Sequence, residues 1–372
     1  MKTIYFDHAA TTWVRPEVIE EMSRVLASDF GNPSSTHAFG RHAKNTLELA
    51  RKTIAKCLNC SASEILFTSG GTEADNWILR HSVASGVERI ITSKIEHHAI
   101  LHTVDALQAE ADIKVDYVKI TREGSIDMTH LAELLAQPTK TLVTLMHVNN
   151  ETGTQTDLFA VGKLCREHGA LFHSDTVQSV GKTELDLSQI PVDFISASAH
   201  KFHGPKGVGF AFVRKGLAIR PMIFGGEQEK GSRAGTEAVH NIAGMAVALE
   251  VAQRNLEAER RQISEIRDYA LRRLMEELPG TTVNGAGSFY NILNVCLPIS
   301  AEKSSMLLFH LDMKGIAVSR GSACQSGSPK PSHVLAEFLS ADDLAKPSLR
   351  LSFSHDNTQE EVEELISVLK SV

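Results

Sequence analysis

Between Glu64 and Val213, seven short β-rich runs alternate with segments of helical period: EILFTS, RIITS, IKVDYVKI, TLVTLMHV, ALFHSDT, DFISASAH and GVGFAFV. This alternation constrains the fold most, because crossover helices covering a mostly parallel sheet produce it. Most runs end in polar or glycine-bearing turns, so polar residues collect at the C-terminal strand ends. In open α/β sheets that edge holds the ligand. Residues 241–278 are rich in Ala, Glu, Arg and Leu and lack Pro before Pro279, which predicts one long or broken helix joining two lobes. After it, 291–297, 315–319 and 348–354 read as strands of a smaller α+β lobe, closed by a helix in TQEEVEELISVLKSV. The expected division is a large domain over 13–257 and a small one over 1–12 and 258–372. A chain of 372 residues has room for both, at roughly 150 residues per domain.

Composition narrows the function classes. Hydrophobic residues make up 42% and charged residues 22%, which argues against disorder and against a coiled coil. The formal charge of -7 and the lack of a long Lys/Arg run remove the footprint of a nucleic-acid binder. No stretch approaches the roughly 20 apolar residues needed to span a bilayer, and the N-terminus has no uninterrupted apolar h-region. A sparse, odd set of cysteines, Cys57, Cys60, Cys165, Cys296 and Cys324, suits a reducing compartment, so the expected location is the cytoplasm.

Three signals carry chemistry. In ILFTSGGTEADNWILRHSV a strand runs into Ser69, Gly70, Gly71 and Thr72 and then a helix start, which points free N–H groups at a phosphate. Alone, such a turn is more often a helix cap. In ALFHSDTVQSVGK, Asp175 and Gln178 follow a strand; Asp175 suits either a protonated ring nitrogen or a helix cap. In FISASAHKFHGPKGVGFAFV, Lys201 follows Ser196, Ser198 and His200 at a strand end, where a lysine is a candidate Schiff-base nucleophile or an ordinary turn residue. Together they supply an anion site, a pyridinium partner and an imine-forming amine, the parts that hold pyridoxal 5'-phosphate.

With these residues the chain resembles the cysteine desulfurases of the NifS/IscS-like group, pyridoxal-phosphate enzymes of the aminotransferase class V type. The likeness runs from YFDHAATT and GNPSSTH through SGGTEADN, HVNNETG, SDTVQSVGK, SAHKFHGPKGVG, GSRAGTEAV and NILNV to SRGSACQSGS and SLRLSFS. It implies an α/β fold of type I among pyridoxal-phosphate-dependent transferases, with a seven-stranded, mostly parallel sheet in the large domain. It also implies that Lys201 forms the Schiff base, Asp175 pairs with the pyridine nitrogen, Gln178 contacts the phenolic oxygen and His97 stacks on the ring. Gly71, Thr72, Ser198 and His200 would hold the phosphate, with Thr236 reaching in from the other subunit of a homodimer. Arg350, helped by Asn150, would bind the carboxylate of L-cysteine, a task suited to a planar guanidinium.

Cys324 selects the reaction. Gly321, Ser322, Ser326, Gly327, Ser328, Pro329 and Pro331 predict a mobile loop around it. By resemblance its thiolate takes sulfur from the substrate, leaves alanine and carries a persulfide to an acceptor protein of scaffold or carrier type, for iron–sulfur cluster or thio-cofactor synthesis. Transient ligation of an iron–sulfur cluster by Cys324 is part of the same expectation; no resident metal is expected. Arg320 is placed to favour the thiolate. The alternatives are a selenocysteine lyase, a related class V lyase and a non-catalytic sulfur-delivery partner. Three features depart from the family pattern: Glu227 in GGEQEKG replaces a glycine, Ala199 stands where Gly is usual, and 22 residues follow Arg350, fewer than in familiar members. Cys57 and Cys60 form a CxxC without a second pair, which reads as structural.

Overall fold

A computed structural model describes residues 3–285, 289–300, 306–320 and 332–371. Each of the seven β-rich runs contains a strand of one sheet: β2 (Ile65–Thr68), β3 (Arg89–Thr92), β4 (Lys114–Tyr117), β5 (Thr141–Thr144), β6 (Leu171–Asp175), β7 (Phe194–Ser198) and β8 (Gly209–Val213). The order is β2-β8-β7-β6-β5-β3-β4. Strand β8 pairs antiparallel with both neighbours, and the other pairings are parallel. β2, β3, β5, β6 and β7 therefore end at one common edge. The central strands β3, β5, β6 and β7 are buried almost throughout because helices cover both faces; the edge strand β4 carries Lys114 and Asp116 and is partly exposed.

The helices are α1 (Pro16–Ser28), α2 (Ala38–Cys57), α3 (Gly71–Ala84), α4 (His98–Ala111), α5 (Met128–Leu135), α6 (Leu158–Glu167) and α7 (Val239–Glu277). Helix α7 is continuous over 39 residues, about 58 Å at 1.5 Å per residue. Its first half buries Ile242, Met245, Ala246 and Leu249 in the core beneath the large sheet. Its second half turns Ile263, Ile266, Ala270 and Leu274, spaced three and four apart, into a separate core. One amphipathic rod thus serves two hydrophobic centres.

The second core is covered by a sheet of order β12-β10-β9, from β9 (Thr282–Val283), β10 (Ile292–Cys296) and β12 (Ser348–Ser352), together with the parallel pair β1 (Ile4–Tyr5) and β11 (Ile316–Ala317). Helix Gln359–Lys370 packs there, started by a capping box between Thr358 and Glu361. The N-terminal strand lies with this sheet, and Asp7 bridges to Ser352. Residues 8–12 then cross to the large sheet, where Thr12 donates its N–H to the carbonyl of His200 at 2.9 Å. That crossing brings the two sheets to one site. Among the described residues no helix is long and apolar enough to cross a membrane.

Candidate active site

A cavity of about 240 Å³ opens at the common strand edge. Its lining contains Gly71, Thr72, His97, Asn150, Asp175, Gln178, Ser198, His200, Lys201 and Arg350, together with Ala9, Ala10, Asp75, Met146, Val148 and Val177. Residues distant in sequence meet because the turns after β2, β3, β5, β6 and β7 open at the same edge, while Arg350 arrives from β12. A second, more open cavity shares Gly71, Thr72, Ser198 and His200, so this end of the site faces outward.

Gly70 precedes α3 with φ 153°, a conformation that favours glycine, and leaves the first N–H groups of the helix directed into the shared wall. A Cβ on Gly209 would lie 2.8 Å from the Cα of Gly70, and one on Gly71 would lie 2.5 Å from Val177 Cγ2. The turn is therefore packed against β8 and the loop after β6, which only glycine permits. Helix capping and anion binding, the two readings of this turn, are both compatible with one geometry.

Asp175 is buried at the end of β6 and accepts a hydrogen bond from Val177 N–H at 2.9 Å. Burial raises its carboxyl to about 6, opposed by that hydrogen bond and by Lys201. Its local capping contact and its place in the cavity coexist, and a cation beside it would favour the ionised form. Lys201 lies in a short 3-10 turn after β7 and is no surface lysine: Nζ donates to the carbonyls of Ala9 at 2.6 Å and Ala10 at 2.8 Å. Gln178 Nε2 donates to the Ala9 carbonyl at 2.8 Å, and behind it the buried Lys182, lowered to about 7 chiefly by burial, donates to Gln178 Oε1 at 3.4 Å.

His97 caps α4, its Nδ1 accepting from Ala99 N–H at 3.1 Å. That contact assigns the hydrogen of the neutral ring to Nε2. Burial, then the charge of Lys201, lowers His97 to about 4, so the ring is neutral at physiological pH. Arg350, 1% exposed, donates from one terminal nitrogen to the Asn150 carbonyl at 2.8 Å and from the other to Asp7 Oδ1 at 2.6 Å. Its buried Nε has no hydrogen-bond partner among the described residues.

Two expected residues stand apart. Thr236 is exposed and lines neither cavity. Its segment is pinned by a buried bidentate pair between Arg51 and Glu229 at 2.7 Å and by Arg233 on Glu73 at 2.8 Å. Glu227 opens the turn in which Glu229 and Lys230 take positive φ. Cys324, with the whole of 321–331, lies outside the described residues. Ala199 has no positive φ, so its departure from glycine brings no backbone strain. Cys57 and Cys60 are half-buried, and burial raises their thiols to about 11 and about 12, away from reactive thiolates.

Sequence reading missed Asp75, Asp7 and the carbonyls of Ala9 and Ala10. Asp75 was open to detection, because it sits one helical turn after Gly71 and so on the same face. The carbonyls carry no side-chain signal at all.

The aminotransferase class-V family profile matches residues 4–365. The chain belongs to the aminotransferase class-V family. Within it, the chain is 40% identical over 376 residues to the cysteine desulfurase IscS of Clostridium botulinum (strain Kyoto / Type A2), covering all of this chain and 94% of that protein. It is 42% identical to the IscS of Ectopseudomonas mendocina (strain ymp) over 97% of this chain and 90% of the relative. Among solved structures, a NifS-like protein aligns with a TM-score of 0.92 at 36% identity over 100% of this chain and 99% of that one. A structure described as SspA in complex with cysteine aligns with a TM-score of 0.83 at 31% identity over 94% and 99%. The class V fold of type I is thus the fold of this chain, and pyridoxal phosphate is the cofactor of such enzymes.

The residues present fit that class V cofactor. The glycine turn and α3 N-terminus offer an anion cradle, Met146, Val148 and Val177 give apolar walls, and a buried carboxylate and an amine share the same cavity.

The buried imidazoles set the acid response of the fold. Burial lowers His8, His97, His147 and His200 to about 4, His173 to about 3 and His203 to about 2. Above their ordinary 6.5, neither folded nor unfolded chain binds these protons. Below it the unfolded chain binds them first, so stability falls as pH drops towards 4. Raised acids, Asp75, Asp175 to about 6 and Glu96 to about 8, act in the opposite sense but are fewer. The urea midpoint is expected to decrease steadily between pH 6.5 and 4; a flat midpoint would show that these rings are not buried neutral.

Proposed function

We propose that this chain is a pyridoxal-phosphate-dependent cysteine desulfurase that converts L-cysteine to L-alanine and holds the sulfur as a persulfide on Cys324. The observation that carries the reading is the meeting of Lys201, Asp175, His97 and Arg350 in one cavity beside a glycine anion cradle. The full-length likeness to proteins named cysteine desulfurase agrees with it.

When bound, pyridoxal phosphate supplies an aldehyde for the substrate amine and a conjugated ring that accepts electrons from Cα. Gly71, Thr72, Ser198 and His200 would hold its phosphate. Asp175 would pair with the ring nitrogen, and a positive charge there would favour the ionised carboxyl. Gln178 would contact the phenolic oxygen and His97 would pack on the ring. Arg350 and Asn150 would bind the carboxylate of L-cysteine, with Asp7 holding one terminal guanidinium nitrogen at 2.6 Å. Lys201 would move the proton at Cα, and the neutral His97 ring would shuttle a proton to or from the substrate thiol. The Cys324 thiolate attacks substrate Sγ: an S–S bond forms, the Cβ–Sγ bond breaks, and its electron pair stays on Cβ, which takes up a proton before the carbon skeleton leaves as alanine.

The residues flanking 321–331 support this role for Cys324. Ser319 pairs with Arg350 on β12, Ser332 Oγ donates to Glu151 Oε2, and His333 Nε2 donates to the Glu96 carbonyl. Both sides of the segment are therefore anchored next to Arg350, Asn150 and His97. The exposed Phe30, Phe39 and Phe224, 71%, 58% and 81% accessible, support a homodimer whose partner receives Thr236. The separate cores on the two halves of α7 favour division near residue 257. The persulfide would pass to an acceptor protein, and the reading places the enzyme in the cytoplasm.

The test is alanine release from L-cysteine by the cofactor-loaded chain, with selenocysteine and cysteine sulfinate in parallel. Cysteine is expected to be turned over, and Arg350→Lys to raise KM for it by about 10- to 100-fold with a smaller change in kcat, as loss of a charged bidentate contact does. No alanine from cysteine would overturn the proposal.

A further inference from the structure

Two carboxyl groups line the cofactor cavity among the described residues, Asp175 and Asp75. Asp75 lies on α3 one turn after Gly71 and is 1% exposed. Its Oδ1 faces His173 Nε2 across 3.5 Å, and both atoms are buried without a hydrogen-bond partner. On its far side His173 Nδ1 lies 2.9 Å from Thr144 Oγ1. The other groups against Asp75 are Asp175 and Ser196 from β6 and β7 and Glu96 from the loop before α4. Three acids thus share one buried region. Among the described residues, the positive charges lining the cavity are Lys201, whose field favours the ionised form of Asp175, and Arg350, which is tied to Asp7 and the Asn150 carbonyl.

We propose that Asp75 is a positioning residue of this site: its carboxyl keeps a proton, donates it in a hydrogen bond to His173 Nε2, and leaves Asp175 as the one carboxylate facing the cofactor. The inference rests on the assignment of Asp175 to the ring nitrogen. A single proton on Asp75 satisfies both orphaned atoms and sets His173 as the Nδ1–H tautomer that donates to Thr144. Burial first, then the charge of Asp175, pushes Asp75 well above the usual carboxylate range, and His173, held near 3 by burial, stays neutral. A phosphate at Gly71 and Thr72 would add like charge near the same helix and act in the same direction. Were Asp75 ionised, two buried carboxylates would repel one another in the wall of one cavity.

The holoenzyme variants Asp75→Asn, Asp75→Leu and Asp175→Asn test this through the pH titration of cofactor absorbance, cofactor affinity and the infrared spectrum. In Asp75→Asn the amide replaces the carboxyl as donor. The absorbance midpoint should move by less than about 0.3 pH unit, whereas removing a real charge would lower it by about one unit or more. The infrared difference from wild type should show loss of a protonated carboxyl band. Asp75→Leu, with no donor, should bind cofactor about tenfold more weakly. A lowered midpoint in Asp75→Asn, loss of carboxylate bands instead, or unchanged affinity in Asp75→Leu would each overturn the proposal. Asp175→Asn separates the two readings: if it leaves the absorbance titration unchanged, the assignment of Asp175 itself fails.

Discussion

Replacing Lys201 by alanine should lower alanine release from L-cysteine by at least about 10³-fold, because in the proposed function one side chain both anchors the cofactor and moves the Cα proton. Its Nζ lies within hydrogen-bond reach of the Ala9 and Ala10 carbonyls and in the field of Asp175, whereas the neighbouring amine of Lys182 sits behind Gln178 and does not line the cavity. The phosphate cradle and Asp175 remain, so the variant should still take up pyridoxal phosphate, now exchangeable on gel filtration. Cofactor retention and alanine release are read on the same sample. Turnover near the wild-type rate would show that Lys201 is not the working amine.

Cys324→Ala should give the opposite split. The variant is expected to keep the colour of bound cofactor, since none of the described cavity-lining residues changes, yet accumulate no protein-bound sulfane sulfur on exposure to L-cysteine. Alanine release should fall by about 10²-fold or more, because the thiolate proposed to accept the sulfur is gone. Alanine and sulfane sulfur are measured together. Equal persulfide in variant and wild type would remove Cys324 from the reaction and turn attention to Cys57, Cys60, Cys165 and Cys296, which burial makes poor thiolates.

The large sheet was legible because its signal is local. Most strands are short, largely apolar runs with polar residues collected at the end, and the crossovers have helical period, so existence and type followed from a few adjacent residues. The helical character of Val239–Glu277 was equally plain, from composition and the lack of Pro, but whether it ran long or broken was not. Strand order was not, nor was the antiparallel placement of β8 between β2 and β7. Pairing is a relation between distant segments and leaves no mark within either. β1 and β9 are two residues long each and carry no period to detect.

The site divides the same way. Gly71, Asp175, Lys201 and Arg350 could be nominated from residue type, neighbouring turns and a family likeness. Their side chains were named, but not the carbonyls that receive Lys201 or the Asp7 carboxylate that orients Arg350 from 343 positions away. Sequence alone determined the succession of strands and helices and the inventory of reactive groups, since backbone period and side-chain chemistry are properties of adjacent residues. Tertiary structure decided which groups meet and which carry charge. Burial of Asp75, Glu96 and His173 is produced by segments from several elements closing over them, and desolvation at that depth raises the two carboxyls and lowers the imidazole, each towards its neutral form.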